Sequence, residues 1–189
     1  MNKKMNGFRL GIYIFKDAEI IDYAAPYGVF STARRLDPSL DAFLIPGGYG
    51  TRQETYNRRL QEYILSLPKD TLLTSVCTGS WIYANMGLLD GITATSRKEP
   101  DRIESSPLGM VPIDRLAQLA PACKVSRARV VDSGRIITGG GISAGMEVGF
   151  HLLRRAGYDE NFIMEVARIM EYHKAYEILR DDIEYTNEK

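Results

Sequence analysis

An apolar, β-branched run over residues 71–76 stops at Cys77, and Thr78, Gly79 and Ser80 come at once after it. An apolar strand running straight into one cysteine, with small residues behind it, is the pattern of a nucleophile elbow. Such an elbow is a tight strand-to-helix turn that pushes one side chain into a cleft, and its neighbours are small because the turn crowds its flanks. The helix expected after Cys77 would aim free amides and the positive end of its dipole at the sulfur. Both favour thiolate over thiol. Cys77 is therefore read as a low-pKa thiolate. The plainer reading, an inert buried cysteine, suits Cys123, which sits between Ala122 and Lys124 with no elbow around it.

The rest of the chain supplies the frame such an elbow needs. Residues 9–15, 41–45, 71–76 and 92–95 read as strands. Residues 128–131 and 135–138 read as two close strands around Asp132-Ser133-Gly134. Helical spacing covers residues 22–35, with Pro26 near the helix start, and residues 53–67, 78–86, 112–120, 143–156, 160–172 and 175–183. Residues 97–111 are polar, hold two prolines and read as a long loop. Strands alternating with helices imply a mainly parallel, three-layer α/β sheet. A length of 189 residues suits one domain.

Charge narrows the function classes. Lys+Arg and Asp+Glu number 24 each, so no electrostatic footprint points to nucleic acid or an anionic membrane. No apolar run approaches membrane length, and none resembles a signal-peptide core. Two cysteines and two histidines offer no zinc-ligand spacing. A reducing, cytoplasmic location is the expectation, with no metal and no cofactor.

Three further motifs fall near the elbow. Pro46-Gly47-Gly48-Tyr49-Gly50 ends a strand, so a parallel sheet places it at the carboxyl edge where ligands bind. The Gly48 and Thr78 amides could form an oxyanion hole there, although many α/β loops carry Gly-Gly as a plain turn. Asp17, Glu19 and Asp22 cluster where the first strand exits. Asp22 could reach the cysteine or simply cap the first helix. Gly139, Gly140 and Gly141 link the last strand to a helix, and either wall the same cleft or serve strand–helix packing. They match neither a phosphate loop nor a dinucleotide fingerprint.

Taken together these residues resemble the ThiJ/PfpI superfamily, the class I glutamine amidotransferase-like fold. The resemblance rests on Ser75-Val76-Cys77-Thr78-Gly79-Ser80, on residues 87–91 with Ala94-Thr95, on Ile21-Asp22, on Ile45-Pro46-Gly47-Gly48, and on residues 135–145. The most similar branch is the isonitrile hydratase-like one. The resemblance implies a flavodoxin-like sandwich, a homodimer, Cys77 as nucleophile and Asp22 as its acidic partner. It also implies anion binding by the Gly48 and Thr78 amides, with Gly47, Gly140 and Gly141 around the substrate. Two features depart from it. Arg97 stands where hydratase-like members commonly carry histidine, so no Cys–His couple is present. Arg97 would lower the cysteine pKa or bind an anionic ligand if it enters the cleft, and is a solvated loop arginine if it does not. The connection at residues 36–41 is short, as if a few dozen residues were missing.

Three functions are expected of such a chain. The first is a cysteine-dependent hydratase or hydrolase of a small molecule. The second is a redox-sensing or stress-response protein in which an oxidant modifies Cys77. The third is a non-catalytic ligand-binding module, whose C-terminal helical tail, about residues 173–189, could pack on a partner subunit.

Overall fold

The computed structural model describes residues 10–36, 42–100 and 111–186, the side chains of residues 34–36 excepted. The first half runs β1 (Leu10–Ile12), α1 (Ile20–Leu36), β2 (Ala42–Ile45), α2 (Thr51–Glu54), α3 (Arg58–Ser66) and β3 (Leu73–Val76). A 3-10 turn at Cys77–Gly79 leads into α4 (Ser80–Asn85), β4 (Thr93–Ala94) and α5 (Pro112–Leu119). The chain then forms β5 (Lys124–Val125), β6 (Val130–Asp132), β7 (Ile136–Gly139), α6 (Ala144–Arg155), α7 (Glu160–Ile169), α8 (His173–Leu179) and β8 (Ile183–Tyr185). Both the short connection, residues 37–41, and most of the loop at 97–111 fall outside the described residues.

Six strands form one sheet in the order β1-β2-β3-β7-β6-β8. Every pairing in it is parallel except β6 with β7. That hairpin turns at Gly134, whose φ of +84° suits the tight reversal. β4 and β5 form a separate parallel pair. All residues of β2, β3 and β7 are buried, as expected of central strands covered on both faces. One face is covered by α1, α6, α7 and α8, through Val29, Phe30, Val148, Leu152, Ile163 and Tyr176. The other is covered by α3, α4 and α5, through Leu60, Ile64, Ile82, Tyr83 and Leu116. Each of these large side chains contributes about 1.5–3 kcal/mol by leaving water. The architecture is therefore the mainly parallel, three-layer α/β sandwich that the sequence pattern implies.

The structure differs from these expectations in several elements. Helix α1 begins at Ile20, so Pro26 lies inside it rather than at its start. Pro26 is accommodated where α1 meets α6 closely: a Cβ at Gly149 would lie 3.2 Å from Pro26 Cα and 3.0 Å from Val29. The helix expected over 53–67 is broken in two. The Asn57 side chain accepts the Arg59 and Leu60 amides and so starts α3 afresh. Strand β5 is an addition to the elements expected from the sequence. The helix expected over 175–183 stops at Leu179, and Ile183–Tyr185 instead pairs with β6. Tyr176 is packed into the core. The tail thus completes this chain's own sheet through Ile183–Tyr185.

Candidate active site

Cys77 leaves β3 with φ +59°, in the left-handed region that a non-glycine residue rarely adopts. That conformation costs about 1–2 kcal/mol. Its backbone is clamped on both sides. The Cys77 amide donates to the Gly140 carbonyl at 2.7 Å. Its carbonyl accepts the Ser96 hydroxyl at 2.9 Å and the Ser80 hydroxyl at 3.3 Å. Strain held in place by its surroundings in this way is a mark of functional sites. The elbow stands at the carboxyl edge of β3, between β2 and β7, where open α/β sheets bind ligands.

Asp22 reaches the elbow from the first turn of α1. It is fully buried, and its Oδ2 accepts the Gly47 amide at 2.7 Å. Its side chain therefore does not cap the helix. Gly47 has no room for anything larger. A Cβ there would sit 2.7 Å from Asp22 Oδ2, from Cys77 Cβ and from the Thr78 amide nitrogen. Gly48 carries φ +116°, and its amide donates to Thr78 Oγ1 at 3.2 Å. Thr51, which no sequence motif singles out, donates to Thr78 Oγ1 at 3.0 Å and accompanies it in the same polar knot. The Thr78 amide is directed at the Cys77 sulfur. An anion bound between the Gly48 and Thr78 amides would have to displace these internal partners. Of the other two acids, Asp17 serves the loop backbone, accepting the Gly50 amide through its carbonyl, and Glu19 accepts the Asp22 amide through its carbonyl at 3.2 Å while its charge raises the Asp22 carboxyl.

The electrostatics overturn one expectation. Burial pushes the Cys77 thiol up to about 12, and the neighbouring Asp22 charge adds to the rise. Arg97 and the Thr78 amide and hydroxyl pull the other way without prevailing. The resting side chain is a thiol, not the low-pKa thiolate the elbow suggests. The physical reason is geometric. Cys77 is only 2% exposed, and the chain continues from it as a 3-10 turn and a six-residue helix, too short for a strong dipole. Asp22 is raised to about 7, first by burial and then by Glu19, against the opposing Gly47 bond and Arg97. The site thus pairs a thiol with a carboxyl poised to exchange its proton near neutrality.

Gly140 and Gly141 lie where β7 turns toward α6. The Gly140 carbonyl holds the Cys77 amide, and Gly141 lines a cavity of about 450 Å³ with Arg97, Lys98 and Glu99. The charge of Arg97 is felt at both Cys77 and Asp22. Neither histidine serves the elbow as a base. His151 is hydrogen-bonded through Nε2 to Asp132 Oδ2 at 2.7 Å, near the opposite edge of the sheet, and His173 opens α8. Ser96 and Lys98 join the site without a sequence signal. They come after β4, and nothing in their spacing announces that this strand lies against the elbow. Among the described residues, no three His, Cys, Asp or Glu side chains gather as a metal site. Nor is any described helix long and apolar enough to cross a membrane.

Comparison with known proteins agrees with this fold. No family model matches the chain. It is 27% identical over 168 residues to an isonitrile hydratase from Pseudomonas putida, covering 74% of this chain and 68% of that protein. A ThiJ/PfpI family protein from Pseudomonas syringae superposes with a TM-score of 0.69 at 18% identity, covering 94% of this chain and 89% of the other. Drosophila melanogaster DJ-1beta superposes with a TM-score of 0.67 at 17% identity, covering 88% and 98%.

Proposed function

The chain belongs to the ThiJ/PfpI superfamily, isonitrile hydratase-like, and on that footing we propose that it hydrates a small isocyanide with Cys77 as nucleophile. The observation that carries this reading is the strained Cys77 elbow set against the buried, near-neutral carboxyl of Asp22. Asp22 takes the thiol proton as sulfur bonds to the terminal isocyanide carbon. The same proton then passes to that carbon, giving a thioimidate. Water adds to the carbon–nitrogen double bond, with its oxygen on carbon and one proton on nitrogen. The tetrahedral adduct collapses with departure of the cysteine sulfur, which regains a proton. The product is the N-substituted formamide, and the sum is isocyanide plus water. Transfer from a thiol near 12 to a carboxyl near 7 is uphill on its own, so it accompanies sulfur–carbon bond formation, and the carboxyl near 7 is well placed to return the proton to carbon. No histidine is needed, because the carboxyl does the work a Cys–His couple would do elsewhere.

Purified protein incubated with an alkyl isocyanide should release formamide, and the Cys77→Ala protein should release none above background. Equal release by both would sink the reading. A homodimer belongs to the same proposal. It is supported by the exposed apolar side chains Ile14, Ile20, Ile21 and Tyr27 on or just before α1. Sedimentation equilibrium at micromolar concentration tests it, and a monomer there refutes it.

A further inference from the structure

We infer that Ser96 is a positioning residue for the Cys77 elbow: its hydroxyl fixes the peptide group between Cys77 and Thr78 and so sets the Thr78 amide on the sulfur. The inference deepens the hydration reading by adding a residue to that same site, and its first test needs no hydration.

Cys77 lies between two peptide groups, and both are held. The Cys77 amide belongs to the first and donates to the Gly140 carbonyl at 2.7 Å, which restrains φ. The Cys77 carbonyl belongs to the second. It accepts the Ser96 hydroxyl at 2.9 Å and the Ser80 hydroxyl at 3.3 Å, which restrains ψ. That second group also carries the Thr78 amide. A peptide group is flat and trans, so its carbonyl and its N–H point to opposite sides. With the carbonyl pinned toward Ser96, the Thr78 N–H is turned the other way, and there it meets the sulfur. Hydrogen bonds in series polarise one another, so a donor on this carbonyl also makes the Thr78 N–H a better donor.

Ser96 is itself well anchored. It is fully buried. Its neighbour Thr95 donates its amide to Thr138 Oγ1 at 2.9 Å and its hydroxyl to the Ala128 carbonyl at 3.1 Å. Lys98 Nζ donates to that same carbonyl. Residues 95–98 are thus tied to β7 and to the chain entering β6. Ser80 lies on the elbow itself and moves with it, whereas Ser96 reaches the elbow from outside and makes the shorter bond. A residue held at φ +59° needs such an external brace. The chemical consequence falls on the sulfur. Negative charge develops there as the thiol gives up its proton, and the Thr78 amide favours that charge against burial. An amide already aimed at the sulfur needs no reorganisation when the charge appears.

Alkylation by iodoacetamide at about pH 8 follows the thiolate, and peptide mass mapping reads it at Cys77 with free cysteine as reference. Ser96→Ala should slow Cys77 by about three- to tenfold, the weight of one buried hydrogen bond. A hydroxyl that only braced the fold would give the opposite sign, since a loosened elbow uncovers a sulfur that is 2% exposed in the native chain. An unchanged or faster rate therefore overturns the inference. If Ser96→Ala melts early, Ser80→Ala is read in its place. It removes the longer bond to the same carbonyl and should slow Cys77 by about two- to threefold, and no slowing overturns the inference. Separately, kcat for an alkyl isocyanide should fall in Ser96→Ala while KM holds within about twofold, because charge reaches the sulfur only after binding. A loss carried by KM alone overturns the inference and leaves hydration standing. If the wild-type protein hydrates no isocyanide, the hydration reading falls, and the alkylation rate alone decides the role of Ser96.

Discussion

Asp22 Oδ2 accepts the Gly47 amide at 2.7 Å, and this one bond sets the carboxyl beside the elbow sulfur. It ties α1 to the turn after β2, and burial there raises the Asp22 pKa to about 7 against the downward pull of this bond. Asp22→Asn keeps an oxygen for the Gly47 amide but removes the charge that raises the thiol. The Cys77 thiol should then titrate at lower pH, monitored by thiolate ultraviolet absorbance. Hydration should nevertheless fall by about 10²-fold or more, because the proton carrier is gone. An unmoved titration, or an undiminished rate, would remove Asp22 from the mechanism.

The same residue links stability to pH. Its folded pKa lies above the unfolded carboxylate value of about 4, so the native state binds the extra proton between about pH 4 and 7. Stability contributed by this group therefore falls as pH rises through that window. Asp22→Asn escapes the penalty and should be more stable than wild type at pH 7.5 by on the order of a few kcal/mol, seen as a higher unfolding temperature. The advantage should vanish near pH 4. A variant less stable at both pH values contradicts the assignment.

At the other edge of the sheet the sign reverses. Burial raises the Asp132 carboxyl, but His151 and Arg155 together with the Gly134 amide bring it down to about 2. Arg155 contacts it at 2.6 Å and His151 at 2.7 Å. Asp132 thus contributes stability above about pH 4, lost as pH falls through about 2. Asp132→Ala should cost about 3–5 kcal/mol at neutral pH by leaving buried partners unpaired. The loss should shrink in acid, and urea titrations at pH 7 and pH 3 check both statements.

Much of this is legible in the sequence, for definite reasons. Apolar β-branched runs of central-strand length mark β2, β3 and β7, because those strands are buried on both faces. The elbow at Cys77 and the glycines at 47 and 48 are legible because tight turns restrict side-chain size. The strand at Ile183–Tyr185 is not, since a short edge strand comes almost directly after a helix there, with neither glycine nor proline to mark the break. The ionisation of Cys77 escapes a helix-end argument because that argument ignores burial, and burial depends on residues distant in sequence. Ser96 and Lys98 are invisible as site residues for the same reason, since only the folded chain brings the residues after β4 to the elbow.

Cys77 also carries backbone strain that a substitution can release. Cys77→Gly should be more stable than Cys77→Ala by about 1 kcal/mol, because glycine accepts φ +59° without penalty. Thermal denaturation of the two inactive proteins compares them directly. Equal melting temperatures would mean that the elbow is not strained.

Gly47→Ala works in the opposite direction. The new Cβ would press on Asp22, Cys77 and the Thr78 amide together, at 2.7 Å from each. Overpacking of this kind costs about 1–3 kcal/mol. It should also abolish hydration by moving the carboxyl off the sulfur, and an active Gly47→Ala protein would show that this spacing is not required.

The central claim is that Cys77 forms the covalent bond to the isocyanide carbon. Mass spectrometry of protein acid-quenched during turnover tests it most directly. The account predicts a mass increase equal to one whole isocyanide, mapped to the peptide that contains Cys77 and absent from Cys77→Ala. Formamide release that persists in Cys77→Ala, with no adduct on Cys77 in the wild type, would contradict it.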